Sequence, residues 1–195
     1  MIKLDQDWWS NQYETGSTQW DAGTITAPLK AYFEQVTDKD IAILVPGCGN
    51  SHEAAFLLQQ GFTNVTVLDI SQVLCDRLAQ KFTADTGKGV QIVCADFFQH
   101  TGQYDLIIEQ TFFCALDPGL RTSYRDQVWR LLKPNGKLVG LLFDAELPDG
   151  PPFGGDKKLY TELFKDRFQV ETMEPCYNSI EKRKGRELFI KLRKA

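Results

Sequence analysis

Gly47, Gly49, Asp69 and the Asp96-Phe97 pair are the residues whose types and spacing most directly suggest chemistry. The run Ile41 to Gly49, IAILVPGCG, is a β-branched apolar stretch that ends in a glycine-flanked turn, and a helix-like segment starts at Ser51. Glycine in such a turn lets backbone approach a ligand with no Cβ in the way. About twenty residues further on, VTVLDIS carries Asp69. That spacing puts a carboxylate at the tip of the neighbouring strand, where it can accept two ribose hydroxyl hydrogens. Together the two features point to a nucleoside-containing cofactor on a Rossmann-like sheet.

The same turn separates cofactor classes. The dinucleotide fingerprint is G-x-G-x-x-G. Gly47 and Gly49 occupy its first two positions, but the third is His52. Without the third glycine, and with Asn50-Ser51 between, the turn is a poor cradle for a pyrophosphate. A cofactor without phosphate, such as S-adenosylmethionine (SAM), fits better, and a nicotinamide dinucleotide fits badly. The plain alternative is a strand-to-helix turn that needs glycine for its backbone alone.

These residues need strands to carry them. Five apolar runs of strand length occur at 41–46, 64–69, 90–94, 104–109 and 137–143. Between them lie helical patterns at 52–60, 71–84 and 121–133. Ser71 reads as a helix N-cap, and Lys133-Pro134-Asn135-Gly136 as a helix stop and turn. Alternating β and α elements with near-continuous apolar strands predict a parallel sheet covered on both faces. Residues 144–156, rich in Pro, Gly and acid, predict a loop. A helix at 157–165 and strand-like segments near 168–174 and 186–193 follow. The expected fold class is α/β: a mostly parallel seven-stranded sheet of the class I SAM-methyltransferase kind, ending in a β-hairpin. One domain is expected over 1–195, with a helical lid over 1–37 and a Rossmann-like core over 38–195.

Composition narrows the partners. A hydrophobic share of 43% and an aromatic share of 12% are ample for a core in 195 residues. The net charge of −4 argues against a nucleic-acid footprint. The basic C-terminal stretch EKRKGRELFIKLRKA reads as a solvated face. No apolar run is long enough for a membrane span, and MIKLDQDWWSNQ lacks a signal-peptide core. Cys48, Cys75, Cys94, Cys114 and Cys176 are odd in number and scattered, which favours reduced thiols over a disulfide framework or zinc site. No metal site is expected. The expected molecule is a cytoplasmic monomer acting on a small-molecule substrate.

In open α/β sheets, ligands sit in the crevice outside the carboxyl ends of the strands. Those ends carry Gly47 and Gly49, then Asp69 and Ile70, then Asp96 and Phe97, then Glu109, Gln110, Phe112 and Phe113. Asp69 reads as the ribose acceptor. Asp96 reads as a partner for an exocyclic amine or as a loop cap, and Phe97 as an aromatic packed on a purine. The loop EQTFFCALDP reads as a substrate wall or as packing under the next helix. Trp8, Trp9, Tyr13 and Trp20, followed by Asp21, read as a lid whose ring faces attract the SAM sulfonium, or as helix packing.

The segments TQWDAGTITAP (18–28), LVPGCGNSHEAAFL (44–57), VLDIS (67–71), ADFF (95–98), YDLIIEQTFFCALDP (104–118), LRTSYRDQVWRLLKPNGKL (120–138), GPPFGG (150–155) and RKGRE (183–187) carry a resemblance. Ordered along the chain, they resemble the thiopurine methyltransferase family, and more closely its branch of thiol, thiocyanate and halide methyltransferases. The resemblance implies a class I methyltransferase that uses SAM and releases S-adenosylhomocysteine (SAH). It implies that Trp20 covers the cofactor, with Trp9 and Tyr13 bordering it. It assigns Gly47 to the first loop, Asp69 to the ribose, and Asp96 and Phe97 to the adenine side. Glu109 or Gln110 lines the methyl-transfer site, and Arg121 and Arg183 lie near the substrate. The expected acceptor is a small soft nucleophile: a thiol, hydrosulfide, thiocyanate or halide, with a thiopurine as a laboratory substrate. One rival is a methyltransferase of an oxygen or nitrogen nucleophile, which needs a general base, with Asp21 or Glu109 as candidates. The other is a SAM-binding protein without turnover.

Overall fold

The β-branched runs form seven strands: β1 (Ile43–Pro46), β2 (Val65–Asp69), β3 (Val90–Cys94), β4 (Tyr104–Gln110), β5 (Leu132–Phe143), β6 (Phe168–Pro175) and β7 (Glu187–Lys194). The computed structural model describes residues 3–195, so Met1 and Ile2, the first two positions of the expected lid and domain, lie outside the described residues. One sheet runs in the order β3-β2-β1-β4-β5-β7-β6. The first five strands are mutually parallel, whereas β7 is antiparallel to both β5 and β6. Chain order reverses between β1 and β4. Their carboxyl ends therefore flank the switch point where such sheets open a crevice.

Among the described residues six helices complete the layers: α1 (Gln6–Thr15), α2 (Ala27–Phe33), α3 (His52–Gln59), α4 (Gln72–Lys81), α5 (Arg121–Leu131) and α6 (Lys157–Phe164). Side chains alternate across each strand. Ile43 and Val45 of β1 pack with Leu57 of α3 and Leu74 of α4, while Leu44 packs with Tyr124 of α5 on the other face. Every residue of β1 and β2 is buried, as a parallel strand covered on both faces requires. Ser71 caps α4 by accepting a hydrogen bond from the Leu74 amide at 3.3 Å.

One boundary differs from expectation. The turn at Lys133–Gly136 does not precede β5 but lies within it. Asn135 takes a left-handed φ of 63°, and pairing with β4 jumps from Tyr104–Leu132 to Leu106–Lys137. The Pro-Asn-Gly signal for a turn was real, but the sheet absorbs it as a bulge. Among the described residues no helix is long and apolar enough to cross a membrane.

Candidate functional site

The first strand-to-helix turn is built from left-handed backbone. Gly47, Gly49 and Ser51 have φ of 54°, 51° and 54°. The Cys48 amide donates to the Leu68 carbonyl at 3.1 Å, which ties the turn to the tip of β2. A Cβ on Gly47 would lie 2.1 Å from the Phe112 ring, so glycine is required there by both backbone and space. Asp69 stands beside this turn, and its two oxygens accept from the Gly49 amide at 3.4 Å and the Ser71 amide at 3.0 Å. Burial pushes its carboxyl up to about 6, against the pull of those amides. Ile70 follows, half-buried. At the tip of β3, Asp96 is half-buried and caps a short turn by accepting from the Phe98 amide at 2.9 Å.

The N-terminal segment closes on the same end of the sheet. Ser10 on α1 and Ser71 share a hydrogen bond of 3.0 Å, and Arg77 donates to the Tyr13 carbonyl at 3.0 Å. Tyr13 is buried, with its hydroxyl beside Gly49. Trp20 meets Trp9 and Tyr13 edge-on, at centroid distances of 5.6 and 6.0 Å. Arg183, 7% exposed, donates to the Trp20 carbonyl at 2.5 Å and pairs with Glu187 at 3.5 Å. Arg121, at the start of α5, donates to the Gly154 carbonyl at 2.6 Å, and its buried Nε has no partner. Gln110 accepts from the Thr26 hydroxyl at 3.0 Å while its buried Nε2 has none.

Four sequence expectations need correction. Glu109 is 0% exposed and faces inward. One oxygen accepts from the Phe112 and Phe113 amides at 2.9 Å each, and the other from the Tyr124 hydroxyl at 2.5 Å. It fastens the loop after β4 instead of meeting a ligand or serving as a base. Phe113 is 1% exposed and packs on Tyr124 and Tyr160, so it lines no pocket. Phe97 is 3% exposed, with its ring in the core against Phe112 and Tyr124, leaving no face for a purine. Asp21 is already engaged: it accepts from the Gly23 amide at 2.7 Å and from Asn50, and pairs with His52 Nε2 at 2.7 Å. Burial works to raise its carboxyl, but those partners hold it below the usual range, which makes it a poor base. The Asp21–His52 contact was missed in the sequence, although His52 at the third-glycine position was its signal. Cys48 and Cys114 are buried packing residues, and burial pushes both thiols well up.

Burial also lifts the Glu109 carboxyl, to about 7, despite the hydrogen bonds from Tyr124 and the two amides. A folded-state value above the unfolded one means the folded chain holds the proton more tightly. The resulting stability is fully present below about 4.5 and is lost as pH rises through about 7. The denaturation free energy of the native protein should therefore fall by up to about 3 kcal/mol across that window. Glu109→Gln keeps the acceptor for the two loop amides and should flatten the decline measured by urea denaturation. Asp69 contributes a smaller decline of the same sign near pH 6 that the variant retains. An unchanged slope in Glu109→Gln would remove Glu109 as its source.

Two open grooves lie away from these residues: one along α4 and β3 around Cys75 and Cys94, the other around Asp144–Pro148 and Gly154–Asp156. The glycine turn and Asp69 contribute to neither groove; Phe112 packs against Gly47, and the Tyr13 hydroxyl lies beside Gly49.

Solved structures share this fold. The 1,6-didemethyltoxoflavin-N1-methyltransferase of Burkholderia thailandensis, solved with SAH, superposes with a TM-score of 0.76 at 19% identity, over 97% of this chain and 87% of that one. The magnesium protoporphyrin IX methyltransferase of Synechocystis PCC 6803 also gives 0.76, at 13% identity, over 97% and 98%. Sequence relatives are nearer. The probable thiol methyltransferase 2 of Arabidopsis thaliana is 34% identical over 149 residues, which is 74% of this chain and 66% of that protein, slightly under two thirds of its length. Thiocyanate methyltransferase 1 of Brassica oleracea is 31% identical over 191 residues, 94% of this chain and 83% of the relative. The thiopurine S-methyltransferase family matches residues 4–191. With the glycine turn, the strand-tip carboxylate and the seven-stranded sheet in register with that match, the chain belongs to the thiopurine S-methyltransferase family of SAM-dependent methyltransferases.

Proposed function

We propose that this enzyme methylates a small soft nucleophile: a thiol, hydrosulfide, thiocyanate or halide, with a thiopurine as a laboratory substrate. The observation that carries the reading is that neither Glu109 nor Asp21 is free to take a proton from an acceptor. Glu109 is sealed under the loop after β4 and Asp21 is committed to Asn50 and His52. A soft anion needs no proton removed by the protein. An alcohol, or an amine in its ammonium form, does. The thiol and thiocyanate methyltransferase relatives agree in substrate class.

The residues fit the cofactor. The positive-φ glycines 47 and 49 after β1, the buried carboxylate of Asp69 at the end of β2 and the unpartnered Nε2 of Gln110 at the end of β4 lie at the strand ends that flank the switch point. We assign Asp69 and Ile70 to the ribose and its flank, Asp96 to the adenine amine through its less engaged oxygen, and Trp9, Tyr13 and Trp20 to the sulfonium side. The chemistry supplied by bound SAM is an electrophilic methyl group. The chain's own part is to hold the acceptor in line, exclude water and attract an anion. Gln110 Nε2 is an available donor for the acceptor, and Arg121 and Arg183 supply positive charge on its side of the cleft. We further read residues 1–195 as one domain, with 1–37 as its lid, working as a cytoplasmic monomer without nucleic-acid or membrane partners. The net charge of −4 supports the last point.

The test is methyl transfer from labelled SAM to sulfide, small thiols, thiocyanate, iodide and a thiopurine, each over a range of pH. For thiols, kcat/KM should rise along each substrate's own ionisation curve, centred at about 8.5 for a cysteine-like thiol. Thiocyanate or iodide should give a nearly flat profile. Arg121→Ala should lower the rate without moving those curves. One fixed inflection shared by all substrates would indicate an enzymatic base and favour oxygen or nitrogen acceptors.

A further inference from the structure

Cys75 and Cys94 lie outside the catalytic cleft but against its backbone. Cys75 sits one turn into α4, its amide donating to the Ser71 carbonyl at 3.0 Å. Cys94 ends β3 and is the register partner of Asp69. The Cys75 sulfur lies 3.7 Å from the Asp69 carbonyl oxygen and 4.0 Å from that of Val93. The Cys94 sulfur lies 3.8 Å from the Ile70 carbonyl oxygen. Because the Val93 carbonyl is bonded to the Cys94 nitrogen, the Cys75 thiol rests on the backbone that carries Cys94. Both residues line one open groove between α4 and β3. Cys94 is exposed and Cys75 is buried, as are Cys48, Cys114 and Cys176.

We propose that Cys75 and Cys94 form a peroxide-sensitive dithiol whose disulfide weakens cofactor binding. This rests on the placement of the SAM nucleoside at Asp69 and Ile70. Exposed Cys94 reacts first. Its thiolate attacks one peroxide oxygen, the O–O bond breaks, and the departing hydroxide takes a proton to become water, leaving a sulfenic acid. Cys75 gives up its proton and attacks the Cys94 sulfur. An S–S bond forms, the S–O bond breaks, and a second water leaves. Two thiols are oxidised by two electrons and one peroxide is reduced to two waters. Burial, reinforced by neighbouring Cys94, holds the Cys75 thiol well above its usual range, which suits a resolving and not an attacking role.

The link to binding is mechanical. Closing the S–S bond removes both thiols from the Asp69 and Ile70 carbonyls and draws the first turn of α4 towards β3. That turn begins at Ser71, whose amide holds one Asp69 oxygen. The carboxylate expected to grip the ribose is thus re-aimed when Cys75 moves.

The experiment treats the reduced full chain with hydrogen peroxide, maps cross-linked peptides by mass spectrometry and titrates SAH calorimetrically before and after. A Cys75–Cys94 peptide, a roughly tenfold loss of SAH affinity and recovery with dithiothreitol are expected. Cys94→Ser and Cys75→Ala should each lose the response. Cross-linking through Cys48, or over-oxidation of Cys94 with Cys75 still free to alkylate, overturns the dithiol. A complete Cys75–Cys94 cross-link with unchanged affinity overturns the coupling. Reduced protein that does not bind SAH overturns the cofactor placement instead, and the peptide map still reads the dithiol separately.

Discussion

Asp69→Ala should weaken SAH binding about a hundredfold or more while leaving the sheet folded. Two charge-assisted hydrogen bonds from ribose hydroxyls contribute about 1.5–3 kcal/mol each. Their joint loss is therefore about 3–6 kcal/mol, at a factor of ten per 1.4 kcal/mol. Asp69 closes β2 at its carboxyl end, where its side chain accepts from the Gly49 and Ser71 amides, so the apolar core beneath it does not depend on the carboxylate. A sharper signature lies in pH. Burial pushes the free protein's Asp69 up to about 6. The ionised form is the better acceptor, so ligand binding favours deprotonation. Affinity should be flat above about pH 7 and fall by up to tenfold per unit below about pH 6. Asp69→Asn keeps the shape and should bind weakly at every pH with no such bend. Calorimetric titration of SAH across this range measures both effects. Wild-type affinity that does not bend near pH 6, together with an Asn variant that binds normally, would mean that the ribose is held elsewhere.

The parts that were legible in the sequence are those fixed by periodicity and by local turn chemistry. The runs at Ile43–Pro46 (ILVP) and Val65–Asp69 (VTVLD) are rich in aliphatic and β-branched residues and buried at every position, as a strand covered on both faces requires. The glycines at 47 and 49 announced a strand-to-helix turn, and the turn is there, with both glycines at positive φ. What stayed hidden is the direction in which loop side chains point. Thr111 takes a left-handed φ of 57°, and the chain reversal there sends Phe113 into the core and its amide back onto Glu109. Nothing in the residue types EQTFF encodes that reversal. The same limit applies to Phe97, whose short turn after Asp96 aims the ring inward. Contacts between distant segments were also invisible to spacing. Arg183 holds the Trp20 carbonyl across 163 positions, and only the family resemblance placed Arg183 near the cleft. Asp21 and His52 each carried a local oddity, but their pairing required the fold.

Removing residues 1–20 should abolish turnover, by roughly a hundredfold or more, and leave a folded sheet. The segment is attached where the chemistry is expected, and by few contacts. α1 is pinned through the Ser10–Ser71 and Arg77–Tyr13 hydrogen bonds, both on α4 and its cap. Trp20 is gathered with Trp9 and Tyr13 and fastened by Arg183, while Asp21 latches the next loop onto Asn50 and His52. The sheet beneath is filled by strand residues and by α2 to α6, and of the segment's described residues only Tyr13 is buried in that core, with Trp20 packed partly against it. The aromatic faces offer attraction for a sulfonium, and on the proposed reading their enclosure excludes water from the displacement. Loss of both should appear mainly in kcat, with a smaller rise in the SAM KM. Trp20→Ala, and Trp9→Ala with it, give the same test without cutting the chain, should the truncated protein prove unstable by circular dichroism. SAH should also protect this segment from limited proteolysis in the full chain. If the folded truncated protein, or the double alanine variant, turns over at the normal rate, the aromatics are helix packing and the methyl-transfer site is closed by something else.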